Sequence, residues 1–222
     1  DHLDIAAGER VAILGRNGAG KSTLLQALAG LIEPAGGEVS VDGVLLGHLD
    51  PADVRRDINL LSQGAHLFHG SLRDNLLLGA PDAGDDELLT ALDISGASEV
   101  VKALPGGLDY MVQEGGLGLS GGQRQTLLLA RLLVRQPRVL LLDEPTAAYD
   151  ELAEKRFIER LQPWLDGRTL VVATHRQSIL ALVDRIIVVD NGRILRDGSK
   201  QDILGRLPGR VAQADDLARS ES

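Results

Sequence analysis

The chain contains no cysteine. That removes disulfides, thiolate metal sites and thiol nucleophiles from consideration, and it is compatible with a reducing compartment. Aromatic residues make up only 2% of it, so a ligand that needs an aromatic face finds few candidates. Long apolar runs are missing too. The longest, around Thr126 to Val134 and Val139 to Leu142, are flanked by Arg or Asp, and both fall short of the roughly 20 residues that cross a bilayer. No secretory leader pattern opens the chain. Positive charge is in deficit, with 23 basic against 32 acidic residues and a net charge of −9. This argues against a dedicated nucleic-acid binder, which shows a basic face. Internal repeats and low-complexity tracts are absent as well.

What is present is a large apolar fraction. Of 222 residues, 44% are hydrophobic, enough to bury a core in one large or two small domains. The chain starts at Asp1, in what already reads as the approach to a strand. The expectation is a piece of something longer, or a processed form.

Nearly unbroken apolar text over Glu9 to Leu14, Ile58 to Gln63, Arg138 to Glu144, Thr169 to Thr174 and Arg185 to Val189 reads as buried strands. Helices are expected over Lys21 to Leu31, at Val54 to Arg56, over Glu151 to Leu165 with a break or kink at Pro163, and over Ser178 to Leu182. Pro34 to Gly37 reads as a turn. Asp42-Gly43 and Asn191-Gly192 read as hairpin turns. From Ala65 to about Val134 the text is helical or loop-like, with no convincing strand. Ser71 caps a short helix through Leu78, Asp85 to Leu92 gives another, and helical spacing resumes at Gln123 and ends before Pro137. The tail from Leu207 reads as polar and frayed. The division implied is an α/β core over 1–64 and 135–222 with a helical insertion over 65–134.

The stretch Gly15-Arg16-Asn17-Gly18-Ala19-Gly20-Lys21-Ser22-Thr23 follows a strand and opens a helix. That is the context in which G-x-x-x-x-G-K-[ST] carries a mechanism. Small residues let successive N–H groups curl into an anion nest, and the helix N-terminus adds partial positive charge. Lys21 is expected to reach the β- and γ-phosphates of a nucleotide, and Ser22 to offer its hydroxyl to Mg²⁺. Asp143 ends a strand apolar enough to be central, so it sits where ligands of open α/β sheets gather. There it can hold Mg²⁺ through water. Glu144, one residue on, can polarise a water aimed at the γ-phosphate. Leu119-Ser120-Gly121-Gly122-Gln123 places a hydroxyl and two glycines at a helix start. By itself this reads as a helix cap; beside the other motifs it reads as a second anion-binding end.

The order of these motifs resembles the ATP-binding cassette ATPases over nearly the whole chain. The resemblance implies the P-loop NTPase fold: α/β, a RecA-like, mostly parallel sheet, a small antiparallel β part and an inserted helical subdomain. It matches Gly15 to Ser22 to Walker A and Val139 to Glu144 to Walker B, and Leu119 to Gln123 to the signature that one subunit closes over the ATP held by the other. Gln63 matches the Q-loop, a Mg²⁺/water contact that senses the partner domain. His175 matches the switch histidine at the γ-phosphate. Ala147-Ala148-Tyr149-Asp150 stands at the D-loop, with Tyr149 and Ala147 where the family commonly has Leu and Ser. Asp150 keeps the cross-subunit role. The implied catalytic set is Glu144, His175 and Lys21.

The family stacks adenine on an aromatic residue upstream of Walker A, and Asp1 to Arg10 contains none. A version extended upstream is therefore expected to bind nucleotide more tightly, by roughly 1–3 kcal/mol. Glu114, set among glycines before the signature, resembles the X-loop of exporters. It is expected to meet a basic or polar group on the coupling helix of a membrane domain. Leu67 to Asn75 resembles the exporter stretch after the Q-loop. Ala173 to Arg176, Ser178, and Leu180 to Val188 resemble the bacterial type I protein-secretion branch. The implied partners are a second copy of the domain and the transmembrane part of the same polypeptide, reached through Gln63 and Glu114. A periplasmic adaptor and outer-membrane channel join them if secretion is type I, and no nucleic acid takes part. The implied location is the cytoplasmic face of the bacterial inner membrane.

The alternative within the class is a lipid, drug or peptide exporter. An importer cassette is disfavoured by the start at Asp1, a DNA-repair cassette by the absence of a heptad tract between Gln63 and Ser120, and a translation factor by the single cassette and acidic charge.

Overall fold

The structure is a computed structural model and describes residues 2–205. The tail from Leu207 lies outside the described residues. Backbone contacts divide the chain into two compact units. Among the described residues, the first holds 2–60, Arg138–Glu144 and 167–205. The second holds Leu61–Pro137 and Pro145–Asp166.

The first unit is built on β1 (Arg10–Leu14), β4 (Ile58–Leu61), β7 (Val139–Asp143), β8 (Thr169–Ala173), β9 (Arg185–Asp190) and β10 (Arg193–Ser199), in the order β10-β9-β1-β8-β7-β4. β1 pairs in parallel with β8 and β9, and β7 in parallel with β8. β10 returns antiparallel to β9 through the Asn191-Gly192 turn. The continuous apolar text is explained by burial on both faces: Val11, Ala12, Ile13, Leu140, Leu142, Leu170, Val172, Ala173, Ile186 and Ile187 are all fully buried. α1 (Lys21–Leu28) lays Leu25 into this core beside Ile13, Leu141, Val171 and Ile187. A small hairpin, β2 (Ser40–Val41) with β3 (Val44–Leu45), turns at Asp42-Gly43. It leads to α2 (Pro51–Asp57), which Asp50 caps by accepting the Ala52 N–H at 2.7 Å. α8 (Lys200–Gly205) follows β10.

The second unit contains α3 (Leu72–Leu77), α4 (Asp85–Ser95), α5 (Ser98–Ala103), α6 (Gly121–Leu133) and α7 (Glu151–Trp164). α4 packs against both α6 and α7, and α3 against α6. Ser71 caps α3 in a reciprocal box with Asp74. Residues 145–166, which the division drawn from the sequence gives to the core, cluster with the helical unit.

Two local expectations are corrected. A two-residue antiparallel ladder, β5 (Gly70–Ser71) with β6 (Met111–Val112), lies inside the stretch read as strand-free. Strands this short leave no alternation to read. α5 was not anticipated, because six residues give less than two turns of periodicity. α7 ends at Trp164, one residue after Pro163, where a proline in the last turn forfeits a single backbone bond near a terminus that frays anyway.

Candidate active site

Register places the chemistry of the first unit. Ala173 pairs with Ile13 on one side and with Asp143 on the other. Because these strands are parallel, all three leave the sheet at the same edge. From that edge start the loop at Gly15, the acid Glu144, and Thr174 with His175. The Thr174 N–H donates to Ile13 O at 3.4 Å and the Glu144 N–H to Ala173 O at 2.9 Å. The backbone thus carries the alignment one residue past the sheet.

The loop from Gly15 to Gly20 is shaped by close approach. A Cβ on Gly15 would stand 2.2 Å from Val189 O, so only glycine lets the loop lie against β9. Gly20, at the N-cap of α1, has φ +102° and brings no side-chain acceptor to the first turn. That turn also carries no acid. The leading amides of α1 thus meet no protein anion from their own helix, as an anion receptor requires. The Gly192 N–H donates to Ala19 O at 3.0 Å, bracing the loop from the β9–β10 turn. Lys21 is buried, and its Nζ donates to Gly15 O at 2.7 Å and to Arg16 O at 3.1 Å. The ammonium is therefore held across the mouth of its own loop.

Glu144 has φ +49°, a left-handed conformation that costs a residue with a side chain about 1–3 kcal/mol. Two contacts hold it there: its N–H on Ala173 O, and its Oε1, 3.0 Å from His175 Nδ1. A carboxylate only accepts, so Nδ1 carries the hydrogen and donates to it. The Glu144 side chain is 11% exposed and that of His175 62%, so the pair is reachable from solvent on the histidine side. Asp143 is buried at the end of β7.

Asp143 and the Ser22 hydroxyl are the metal-ligand candidates from the sequence that fall in this unit, and no cluster of three or more His, Asp or Glu suited to a metal occurs among the described residues. One carboxylate and one hydroxyl fit Mg²⁺, which binds through few protein oxygens plus substrate phosphates and water. They do not fit a metal that needs an all-protein cage.

The remaining candidates lie in the second unit: Gln63, Glu114, Ser120 to Gln123 and Asp150. Ser120 is the N-cap of α6: its Oγ accepts the Gln123 N–H at 3.2 Å, and Gln123 Oε1 accepts the Ser120 N–H at 2.8 Å. Asp150 caps α7 by accepting the Ala153 N–H at 2.7 Å. Glu114 Oε2 accepts the His69 N–H at 3.0 Å. Its carboxylate therefore has an intrachain task that the glycine-flanked text does not announce.

Sequence reasoning also missed Asn75, which is buried. Its Oδ1 accepts the Phe68 N–H and its Nδ2 donates to Phe68 O and Ser71 O. It missed Thr146 and Glu154 as well, a buried pair in which Thr146 Oγ1 donates to Glu154 Oε1 at 2.5 Å. Asn75 lies on a short helix, Thr146 in a loop and Glu154 on α7, and no motif or spacing in the sequence marks any of them as buried.

A glycine loop between β1 and α1, with acids and a histidine gathered at the same carboxyl edge, defines a P-loop nucleotide hydrolase. The model of the ABC transporter family matches residues 1–147. The chain is 41% identical over 202 residues to the cyclolysin secretion/processing ATP-binding protein CyaB of Bordetella pertussis, covering 91% of this chain and 28% of that protein. It is 36% identical over 205 residues to the ATP-dependent lipid A-core flippase of Neisseria meningitidis, covering 92% of this chain and 33% of that protein. A solved structure of a bacterial Atm1-family ABC exporter with ATP bound shares the fold with a TM-score of 0.88 at 33% identity, over 99% of this chain and 38% of that one. The chain belongs to the ABC transporter family, as a nucleotide-binding ATPase domain. It spans about a third of the length of these relatives.

Proposed function

We propose that this chain is the motor part of an ATP-driven exporter. Two copies pair head to tail around two ATP molecules. Each ATP lies between the Gly15 to Thr23 loop of one copy and Ser120 to Gln123 of the other, with Asp150 reaching across the contact. The observation that carries the reading is the shared edge at which the Gly15 loop, Asp143, Glu144 and His175 leave parallel strands in register.

The chemistry follows from those side chains. Loop amides and Lys21 hold the β- and γ-phosphates. Ser22 and Asp143 are the residues that would hold Mg²⁺, which when bound would neutralise phosphate charge. Glu144 accepts a proton from the water that attacks the γ-phosphorus as the bond to the ADP oxygen breaks. His175 is held at Nδ1 by Glu144 and is the side chain that would steady the γ-phosphate. ATP draws the two copies together and hydrolysis lets them part. Gln63 and the Glu114 segment pass this motion to a membrane part of the same polypeptide, at the cytoplasmic face of the bacterial inner membrane. No helix among the described residues is long and apolar enough to cross a membrane itself.

The likeness to CyaB, a secretion ATP-binding protein, favours a protein or peptide cargo. On that reading a periplasmic adaptor and an outer-membrane channel complete the path. The comparable likeness to a lipid A-core flippase supports lipid export as the second reading.

Replacing Glu144 with Gln tests the core of this proposal. The variant keeps nucleotide binding, loses turnover by roughly 10²–10⁴-fold, and forms an ATP-dependent dimer in light scattering. Turnover near the parent rate would remove Glu144 as the base. A variant that stays monomeric with saturating ATP would remove the head-to-tail pair.

A further inference from the structure

Residues 145–150 connect β7 to α7, and they begin one peptide bond after Glu144. Within the second unit this short loop is pinned at three places. Thr146 and Glu154 are both buried, and the Thr146 hydroxyl donates to Glu154 Oε1 at 2.5 Å. A carboxylate is rarely taken out of water unless hydrogen bonds hold it in a required place. The Tyr149 N–H donates to Thr146 O at 2.9 Å, which closes a turn. The Tyr149 ring is buried, with its edge against Phe157 at a centroid distance of 5.9 Å, a geometry aromatic pairs favour. That burial pushes the Tyr149 hydroxyl pKa well up, so the ring stays neutral. At the far end Asp150 caps α7.

The loop also touches the other functional segment of this unit. A Cβ built on Gly121 would stand 3.4 Å from Ala148 Cβ, and one on Gly122 3.3 Å from Ala148 O. The first turn of α6 therefore rests on the middle of the loop, with only hydrogen atoms between them.

We infer that Thr146, Glu154 and Tyr149 are positioning residues, which lock the 145–150 loop to α7 so that Asp150 and the Ser120 to Gln123 turn are presented to a second copy as one rigid block. The inference rests on the head-to-tail reading proposed above. Thr146 and Glu154 touch no reacting atom in this scheme. They act through the loop, so their loss affects closure of the dimer and not the hold of one copy on nucleotide.

The experiment uses the 222-residue chain with and without Glu144→Gln. Four changes are compared in each background: Thr146→Val, Thr146→Ser, Glu154→Gln, and the double change Thr146→Val with Glu154→Leu. The double change replaces a hydrogen-bonded pair by an apolar pair of similar size, which keeps stability close to the parent, so it serves even if the single Val change fails to fold. Binding of a fluorescent ATP analogue to the single copy, kcat and KM for ATP, and ATP-dependent dimerisation are measured with the melting temperature. Thr146→Ser and Glu154→Gln keep a donor and an acceptor and stay within about threefold of the parent. The Val change and the double change hold nucleotide within about twofold, but lose kcat and dimer affinity by about tenfold, a 1.4 kcal/mol effect.

A folded double variant that dimerises and turns over like the parent overturns the inference. So does a loss of kcat that follows a loss of nucleotide binding, or one that Thr146→Ser shares. If the Glu144→Gln parent itself fails to dimerise with ATP, the head-to-tail reading has failed. If that parent dimerises and the double variant does so equally, only the inference has.

Discussion

Glu144 and His175 meet with Oε1 and Nδ1 3.0 Å apart, although 31 residues separate them in the chain. The pairing of Asp143 with Ala173 sets their backbones side by side, and the left-handed turn at Glu144 aims the carboxylate at the ring. One side chain accepts and the other donates, so each fixes the orientation its partner needs for a separate task.

This relationship predicts that His175→Ala lowers kcat by roughly 10²-fold or more, while nucleotide affinity in equilibrium titration stays within about threefold. Steady-state kinetics with ATP reads the first and a fluorescent analogue the second. A variant that keeps parent kcat would show that Glu144 needs no partner.

Lys21→Ala acts on binding instead. Its ammonium is aligned by Gly15 O and Arg16 O, and on the reading proposed above it meets the phosphates. Losing a charge-assisted bond to phosphate costs about 1.5–3 kcal/mol, or about 10–150-fold in affinity. Isothermal titration with ATP and Mg²⁺ measures it.

Gly15→Ala tests the contact between the loop and β9. The added methyl would meet Val189 O at 2.2 Å, which is backbone and cannot swing aside. Urea unfolding is expected to show a loss of about 1–3 kcal/mol, with weaker nucleotide binding because the loop has to lift. An unchanged midpoint would mean that the loop tolerates displacement.

Asp74 gives a pH-dependent test. Hydrogen bonds from the Ser71 hydroxyl and the Ser71 N–H hold its carboxyl below the ordinary value of 3.8. A folded-state pKa lower than the unfolded one contributes stability above the unfolded value, and that stability is lost as pH falls through the folded value. The melting-temperature gap between the parent and Asp74→Asn is therefore constant above about pH 5 and closes below about pH 4. A gap that persists at acid pH would assign the effect to shape, not charge.

The central strands and the motif at each strand end were legible because a strand buried on both faces is apolar throughout, and the motif follows it directly. Val139 to Asp143 and Thr169 to Ala173 are of this kind. Gly15 to Thr23 was legible for a similar reason, since a phosphate loop is a contiguous string. The two-residue ladder of Gly70–Ser71 with Met111–Val112 was not, because pairing over such a distance leaves no local trace. Nor was the intrachain bond of Glu114 to His69, whose glycine-rich surroundings suggest a free, solvated acid.

The sequence by itself determined the nucleotide loop, the acids at the end of a core strand and the order of the motifs, because each rests on neighbours in the chain. Tertiary structure alone decided that Glu144 faces His175 and that Thr146 is tied to Glu154 beneath the loop that carries Asp150. It also decided that Gly15 lies against Val189 O. These depend on strand register, on which face of a helix is buried, and on how closely two backbones approach, and none of the three is written in the spacing of residues along one chain.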